Sequence, residues 1–231
     1  MAPKPQQLLL DLPHRTASGR DDFLVTPSNI AAVRLVDEWP HWPAKGAILR
    51  GPEGSGKSHL AQVWQARSGA RIIPASGLNA EEAEAQFAAG ALCVEDLEPG
   101  FDERALFHIL NLARQKPGHV LLTTRHDLPG LKVALPDLAS RLKALPLLSL
   151  LPPDDELLRG VLVKLFADRQ IHVDESVISF ILLRMPRQLA AARHLVAEID
   201  RQAMQEKAEV TRVFVSRVMA GLEAPDLFTT Q

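Results

Sequence analysis

Eight consecutive residues constrain this chain more than any other segment: Gly51-Pro52-Glu53-Gly54-Ser55-Gly56-Lys57-Ser58. They fit the pattern G-x-x-x-x-G-K-[ST]. The apolar run Gly46-Ala47-Ile48-Leu49-Arg50 before them suits a buried strand, and residues 57–67 read as a helix. Strand, loop and helix in that order are the context in which the pattern carries chemistry. Glycines let the backbone curl so that successive N–H groups face phosphate oxygens. The helix start adds partial positive charge. Lys57 is placed to reach β- and γ-phosphates, and the Ser58 hydroxyl to ligate Mg²⁺. Gly51 to Ser58, with His59 next in line, are therefore the candidate nucleotide-binding residues, with ADP or ATP and Mg²⁺ as the cofactors.

The surrounding pattern alternates. Further strands are expected at residues 71–74, 91–94 and 119–124, with a fifth within 145–151. Helices are expected at 30–38, 79–89 and 103–115. Alternating strands and helices imply a parallel sheet covered on both faces. After Pro152-Pro153 the strands stop, and 154–169, 174–184, 187–206 and 211–220 all fit helices. The expected organisation is an arm over 1–20, an α/β nucleotide-binding domain over 21–153, a small helical domain over 154–222 and a tail over 223–231.

Two carboxylates, Glu95 and Asp96, end the Leu92-Cys93-Val94 run. A phosphate-binding protein needs a metal-orienting acid at such a strand end, and many ATPases follow it with a water-activating carboxylate. The order here puts Glu95 in the magnesium position beside Ser58, one methylene longer than an aspartate. Either the site relaxes around the longer side chain, or metal binding and intrinsic hydrolysis are weak; the plain alternative is a pair that only solvates a strand end. Thr124 and Arg125 follow the fourth strand, where a γ-phosphate sensor is sought. Cys93 lies in an apolar strand and reads as core, and the histidines show no metal-ligand spacing.

These residues together resemble the AAA+ ATPases of the replication initiator DnaA group. The segment Leu135-Pro136-Asp137-Leu138-Ala139-Ser140-Arg141-Leu142 is similar to the arginine-finger segment of the Hda-type regulators in that group. Arg184-Met185-Pro186-Arg187-Gln188-Leu189 resembles the lid segment that carries the sensor 2 arginine. The resemblance spans roughly residues 20–220. It implies a P-loop AAA+ domain with a C-terminal helical lid. It also implies that Arg141 acts in trans on a neighbour's nucleotide and that Arg187 touches the chain's own. Phe23 and Val25 then fall where this fold wraps the base. Arg141 as a helix-end charge and Arg187 as a solvated lid arginine remain the plain alternatives.

In this light the arm acquires a role. Gln7-Leu8-Leu9-Leu10-Asp11-Leu12 resembles the peptides that dock on the bacterial sliding clamp, with Gln7, Leu8, Leu10 and Leu12 as the contact residues. The implied partners are DnaA and the β subunit clamp of DNA polymerase III, with self-association left open. The implied function is to stimulate hydrolysis of DnaA-bound ATP and so restrain initiation. A DnaA-related adaptor or loader and a small stand-alone ATPase are the rival readings, and neither needs a clamp peptide.

Charge agrees. Lys and Arg total 26 against 28 Asp and Glu, a net charge of -2, without the basic excess of a DNA-binding module. The chain ends at Gln231, so no dedicated DNA-binding domain is expected after the lid. No apolar run reaches the roughly 18 residues of a membrane span. Met1 to Gln7 lack a signal-peptide pattern, and a cytoplasmic protein is expected.

Overall fold

A computed structural model describes residues 24–223. The sheet has five parallel strands in the order β2-β3-β4-β1-β5. These are β1 (Gly46–Arg50), β2 (Arg71–Pro74), β3 (Ala91–Leu97), β4 (His119–Thr124) and β5 (Leu147–Ser149). The three central strands are apolar on both faces because both faces are covered. Alternate residues go to opposite sides. Ile48, Leu92, Val94, Val120 and Leu122 face α3 (Ala83–Gln86), α4 (Glu103–Gln115) and α5 (Pro136–Ala144). Ala47, Leu49, Cys93 and Leu121 face α1 (Ile30–Glu38) and α2 (Lys57–Ser68). Cys93 is fully buried, as its apolar setting implies.

Asn29 does not cap α1 with its side chain. Its Oδ1 accepts from the Thr26 N–H at 3.0 Å and its Nδ2 donates to the Leu24 carbonyl at 2.9 Å. The amide thus orders the turn that enters the helix. Trp39, Trp42 and Trp64 gather around His119. Trp42 stacks on Trp64 with ring centroids 5.5 Å apart, and both rings are buried.

Beyond β5 run α6 (Asp155–Asp168), α7 (Glu175–Leu182), α8 (Leu189–Glu206) and α9 (Arg212–Glu223). Leu158, Leu162, Phe166, Ile181, Val196 and Val215 form a core of their own. Asp154 caps α6 by accepting from the Leu157 N–H at 2.7 Å. Leu24 packs on this helical core. No helix among the described residues is long and apolar enough to cross a membrane.

Three elements differ from the sequence expectation. Residues 79–89 hold only the single turn α3. Asn79 Oδ1 accepts from the Glu81 N–H, and burial is confined to Ala83, Gln86 and Phe87, too little apolar stripe for a longer helix. β3 continues through Glu95 and Asp96 to Leu97. α5 is a helix that periodicity does not announce, since only Leu138 and Leu142 bury; Pro136 starts it at the first turn.

Candidate functional site

The loop from Gly51 to Ser58 leaves the C-terminal end of β1, and Gly51 N–H donates to the Thr124 carbonyl at 3.1 Å. Gly54 and Gly56 have φ of 73° and 99°, the left-handed region where a side chain is strained. Gly54 also has no room. A Cβ there would lie 2.8 Å from Gln188, and the Leu189 N–H donates to the Gly54 carbonyl at 3.3 Å. The start of lid helix α8 therefore sits directly on the loop.

Lys57 is buried. Its Nζ donates to the carbonyls of Gly51 at 2.8 Å and Pro52 at 2.9 Å. Burial pulls the Lys57 pKa down; Asp96 opposes this more strongly than Glu53 or Glu95, while Arg125 adds to the lowering. The loop borders a cavity of about 400 Å³ that Glu53, Gly54, Gly56, Lys57, Ser58 and His59 help to line. The Ser55 hydroxyl is buried without a hydrogen-bond partner among the described residues. A buried ammonium and two left-handed glycines around one cavity fit a phosphate chain.

The acidic pair is arranged differently from the sequence expectation. Val94 pairs with Leu122 but Leu97 pairs with Thr124, so β3 carries one extra residue across this step. The bulge puts Asp96 at φ 53°, with its N–H donating to Thr123 Oγ1 at 3.0 Å. Bulges re-aim side chains in this way. Asp96 lines the cavity, whereas Glu95 does not, and its Oε1 is buried and unpartnered. The sequence order points to Glu95 as the carboxylate beside Ser58, but the bulge turns Asp96, the second of the pair, to the cavity. Among the described residues no group of three His, Cys, Asp or Glu is assembled for a metal. A magnesium ion here fits as a guest of Ser58, Asp96, phosphate oxygens and water, its usual mode beside a nucleotide.

The two sensor candidates also separate. Thr124 Oγ1 donates to the Leu97 carbonyl at 2.7 Å and accepts from the His126 N–H, so it serves the strand end and is absent from the cavity wall. Arg125 lines the cavity, with Nε and Nη2 on Glu98 Oε1 at 2.9 and 2.8 Å and Nη1 3.7 Å from Glu53. Hydrogen bonds from His126 and Arg125 hold the Glu98 carboxyl below its usual range. Glu98 faces the cavity as well, a residue the sequence reading did not single out.

On the lid, Arg187 does not reach this cavity. It is exposed and paired with Asp155 at 2.5 Å. Arg193 takes its place on the cavity wall beside Leu189 and Ala190, with Nη2 3.1 Å from His59 Nδ1. The spacing of 189, 190 and 193 on one helix face was the signal available in the sequence. Val25 is 43% exposed and does not line this cavity. Phe23, Gln7, Leu8, Leu10 and Leu12 lie outside the described residues.

Arg141 stands elsewhere. On the last turn of α5, its guanidinium carbon lies 4.7 Å from the Phe107 ring centroid. Its Nη1 is buried and unpartnered among the described residues. Arg141 lines a separate pocket with Lys45, which precedes β1 just as Gly51 follows it. The two sites therefore lie at opposite ends of that strand.

No model of a known protein family matches the chain. The chain is 25% identical over 215 residues to the chromosomal replication initiator protein DnaA 1 of Chlamydia pneumoniae, covering 80% of this chain and 46% of that protein. It thus spans about half the length of that relative. Domain III of the Thermotoga maritima replication initiation protein DnaA superposes with a TM-score of 0.76 at 18% identity, covering 90% of this chain and 98% of that one. The AMPPCP-bound DnaA from Aquifex aeolicus superposes with a TM-score of 0.68 at 15% identity, covering 89% and 69%. The fold is that of a P-loop AAA+ domain of the DnaA type, a parallel α/β sheet followed by a helical lid.

Proposed function

We propose that this protein is an Hda-type regulator of chromosome replication initiation. It binds ADP or ATP in its P-loop cavity, docks on the DNA sliding clamp through Gln7, Leu8, Leu10 and Leu12, and presents Arg141 to ATP held by DnaA. The observation that carries this reading is the separation of the two cationic sites. Lys57 lines one cavity and Arg141 another, and the two share no lining residue. An arginine at the far end of the strand from its own P-loop suits action on another molecule's nucleotide. Its permanent charge and planar fork match the charge that spreads over a phosphoryl group in transfer.

The chain's own chemistry is modest in this scheme. The P-loop holds a nucleotide beside the start of α8, and Ser58 and Asp96 would hold the Mg²⁺ that accompanies its phosphates. The protein works chiefly as an activator of DnaA. The deciding experiment is hydrolysis of labelled ATP pre-bound to DnaA, with this protein and DNA-loaded clamp added together or singly. Stimulation only with both, lost in Arg141→Ala, is expected. Hydrolysis by this protein alone at the full rate would favour a stand-alone ATPase.

A further inference from the structure

The pocket that holds Arg141 has a volume of about 450 Å³ and an apolar wall that includes Leu110 and Leu145. Its charged lining is Lys45, Arg114 and Arg141, with no carboxylate. Each cation comes from a different element: Lys45 from the residue before β1, Arg114 from the last turn of α4 and Arg141 from the last turn of α5. None of the three is ion-paired among the described residues. In a chain of net charge -2, such a trio is not a by-product of composition.

Three cations converging without an acid repel one another, and a polyanion relieves that repulsion. Arg141 is the preorganised member. It is half-buried, rests on Phe107 and keeps a buried N–H donor without a partner. Lys45 and Arg114 are exposed. The anion cannot be the nucleotide of this chain's own P-loop, because a five-residue strand of roughly 17 Å separates the two sites.

We propose that Lys45 and Arg114 join Arg141 in a receptor for the polyphosphate tail of a nucleotide carried by a second protein molecule. The assignment rests on the reading of Arg141 as trans-acting and extends it. Lys45 and Arg114 hold the tail before reaction, so they are binding residues; Arg141 meets the charge that develops during transfer.

The double variant Lys45→Ala/Arg114→Ala truncates only exposed side chains, and circular dichroism checks that it folds. In one arm, tripolyphosphate is titrated calorimetrically into Lys57→Ala protein, whose own P-loop is disabled. Adding the double substitution is expected to weaken binding tenfold or more. In the other arm, hydrolysis of DnaA-bound ATP is followed against the concentration of this protein. The double variant is expected to need at least tenfold more protein for half-maximal stimulation while reaching the same plateau, whereas Arg141→Ala lowers the plateau. Unchanged tripolyphosphate affinity and an unchanged half-maximal concentration would overturn the receptor. Weakened tripolyphosphate binding with unaltered stimulation would overturn the partner-borne source and leave free polyphosphate as the ligand. If even the unaltered protein fails to stimulate DnaA, the regulatory reading falls. The tripolyphosphate arm then still decides the pocket, and undiminished binding overturns it.

Discussion

Arg193 Nη2 lies 3.1 Å from His59 Nδ1, joining lid helix α8 to the first turn of the P-loop helix α2. Arg193 has no carboxylate partner among the described residues, and burial alone lowers its pKa. A half-buried guanidinium on the wall of the P-loop cavity is stabilised by an incoming anion. Arg187, six residues earlier, already has Asp155. Arg193→Ala is expected to weaken nucleotide binding about tenfold or more, from roughly 1.5–3 kcal/mol for a charge-assisted hydrogen bond. Arg187→Ala should change it far less. Calorimetric titration of both variants with ADP and ATP checks the ranking; the reverse order would return the role to Arg187.

Gly54 carries two constraints at once, a φ of 73° and a Cβ position 2.8 Å from Gln188. The left-handed backbone costs a non-glycine residue roughly 1–2 kcal/mol. The clash would also push the start of α8 off the loop. Gly54→Ala should lower stability by more than that amount and weaken nucleotide binding strongly. Gly69 is also left-handed, at φ 68°, but a Cβ there meets nothing within 4 Å. Gly69→Ala should therefore show the backbone cost alone, a smaller loss, while keeping nucleotide binding. Denaturant melts paired with titrations separate the two effects.

Asp154 ties the lid to the segment that enters α1. Burial pushes its carboxyl pKa up. Hydrogen bonds from the Leu157 N–H, the Thr26 and Ser28 hydroxyls and the Ser28 N–H outweigh that, and hold it below the usual range. A depressed folded pKa makes the contribution full above the unfolded value, about 3.9, and lost as pH falls through the folded one. Asp154→Ala removes a helix cap and should cost about 1 kcal/mol at neutral pH. The gap between wild type and variant should shrink below about pH 4. Urea melts at pH 7 and in the acid range test it; a gap that widened in acid would reverse the sign.

Much of this fold could be read from the chain because the central strands are uninterrupted apolar runs and the phosphate loop has a fixed local pattern. Ile48, Val94 and Leu121 each sit where their neighbours in sequence place them. What escaped were features set by tertiary register. Nothing local says that β3 bulges at Asp96, since the extra residue exists only relative to β4. Likewise Arg187 and Arg193 are equal as letters. Spacing puts 193 on one face with 189 and 190, but only the seating of α8 on Gly54 decides that this face meets the cavity. The helix expected over 79–89 failed for the opposite reason. Its alanines and glutamates favour helix, but they supply no apolar face to hold one against the sheet.

The bulge makes the acidic pair the sharpest test of the site. A sequence reading puts the first carboxylate on the metal and the second beside water. In the folded chain the second, Asp96, borders the cavity and is the carboxylate that most opposes the lowering of the Lys57 pKa. Glu95 has an Oε1 buried without a partner. Replacing Asp96 with Asn keeps the shape and removes the charge that a divalent cation requires. Asp96→Asn should therefore reduce the gain in nucleotide affinity that Mg²⁺ provides, with little change when EDTA is present. Glu95→Gln should leave that gain intact, because its side chain does not border the cavity. It should also leave stability unchanged or raise it, since an amide is cheaper to bury than a carboxylate without a partner. Titrating ATP into both variants with and without Mg²⁺ gives four affinities that decide the matter. If Glu95→Gln abolishes the magnesium effect and Asp96→Asn does not, the bulge does not aim the metal ligand, and the sequence-order assignment is restored.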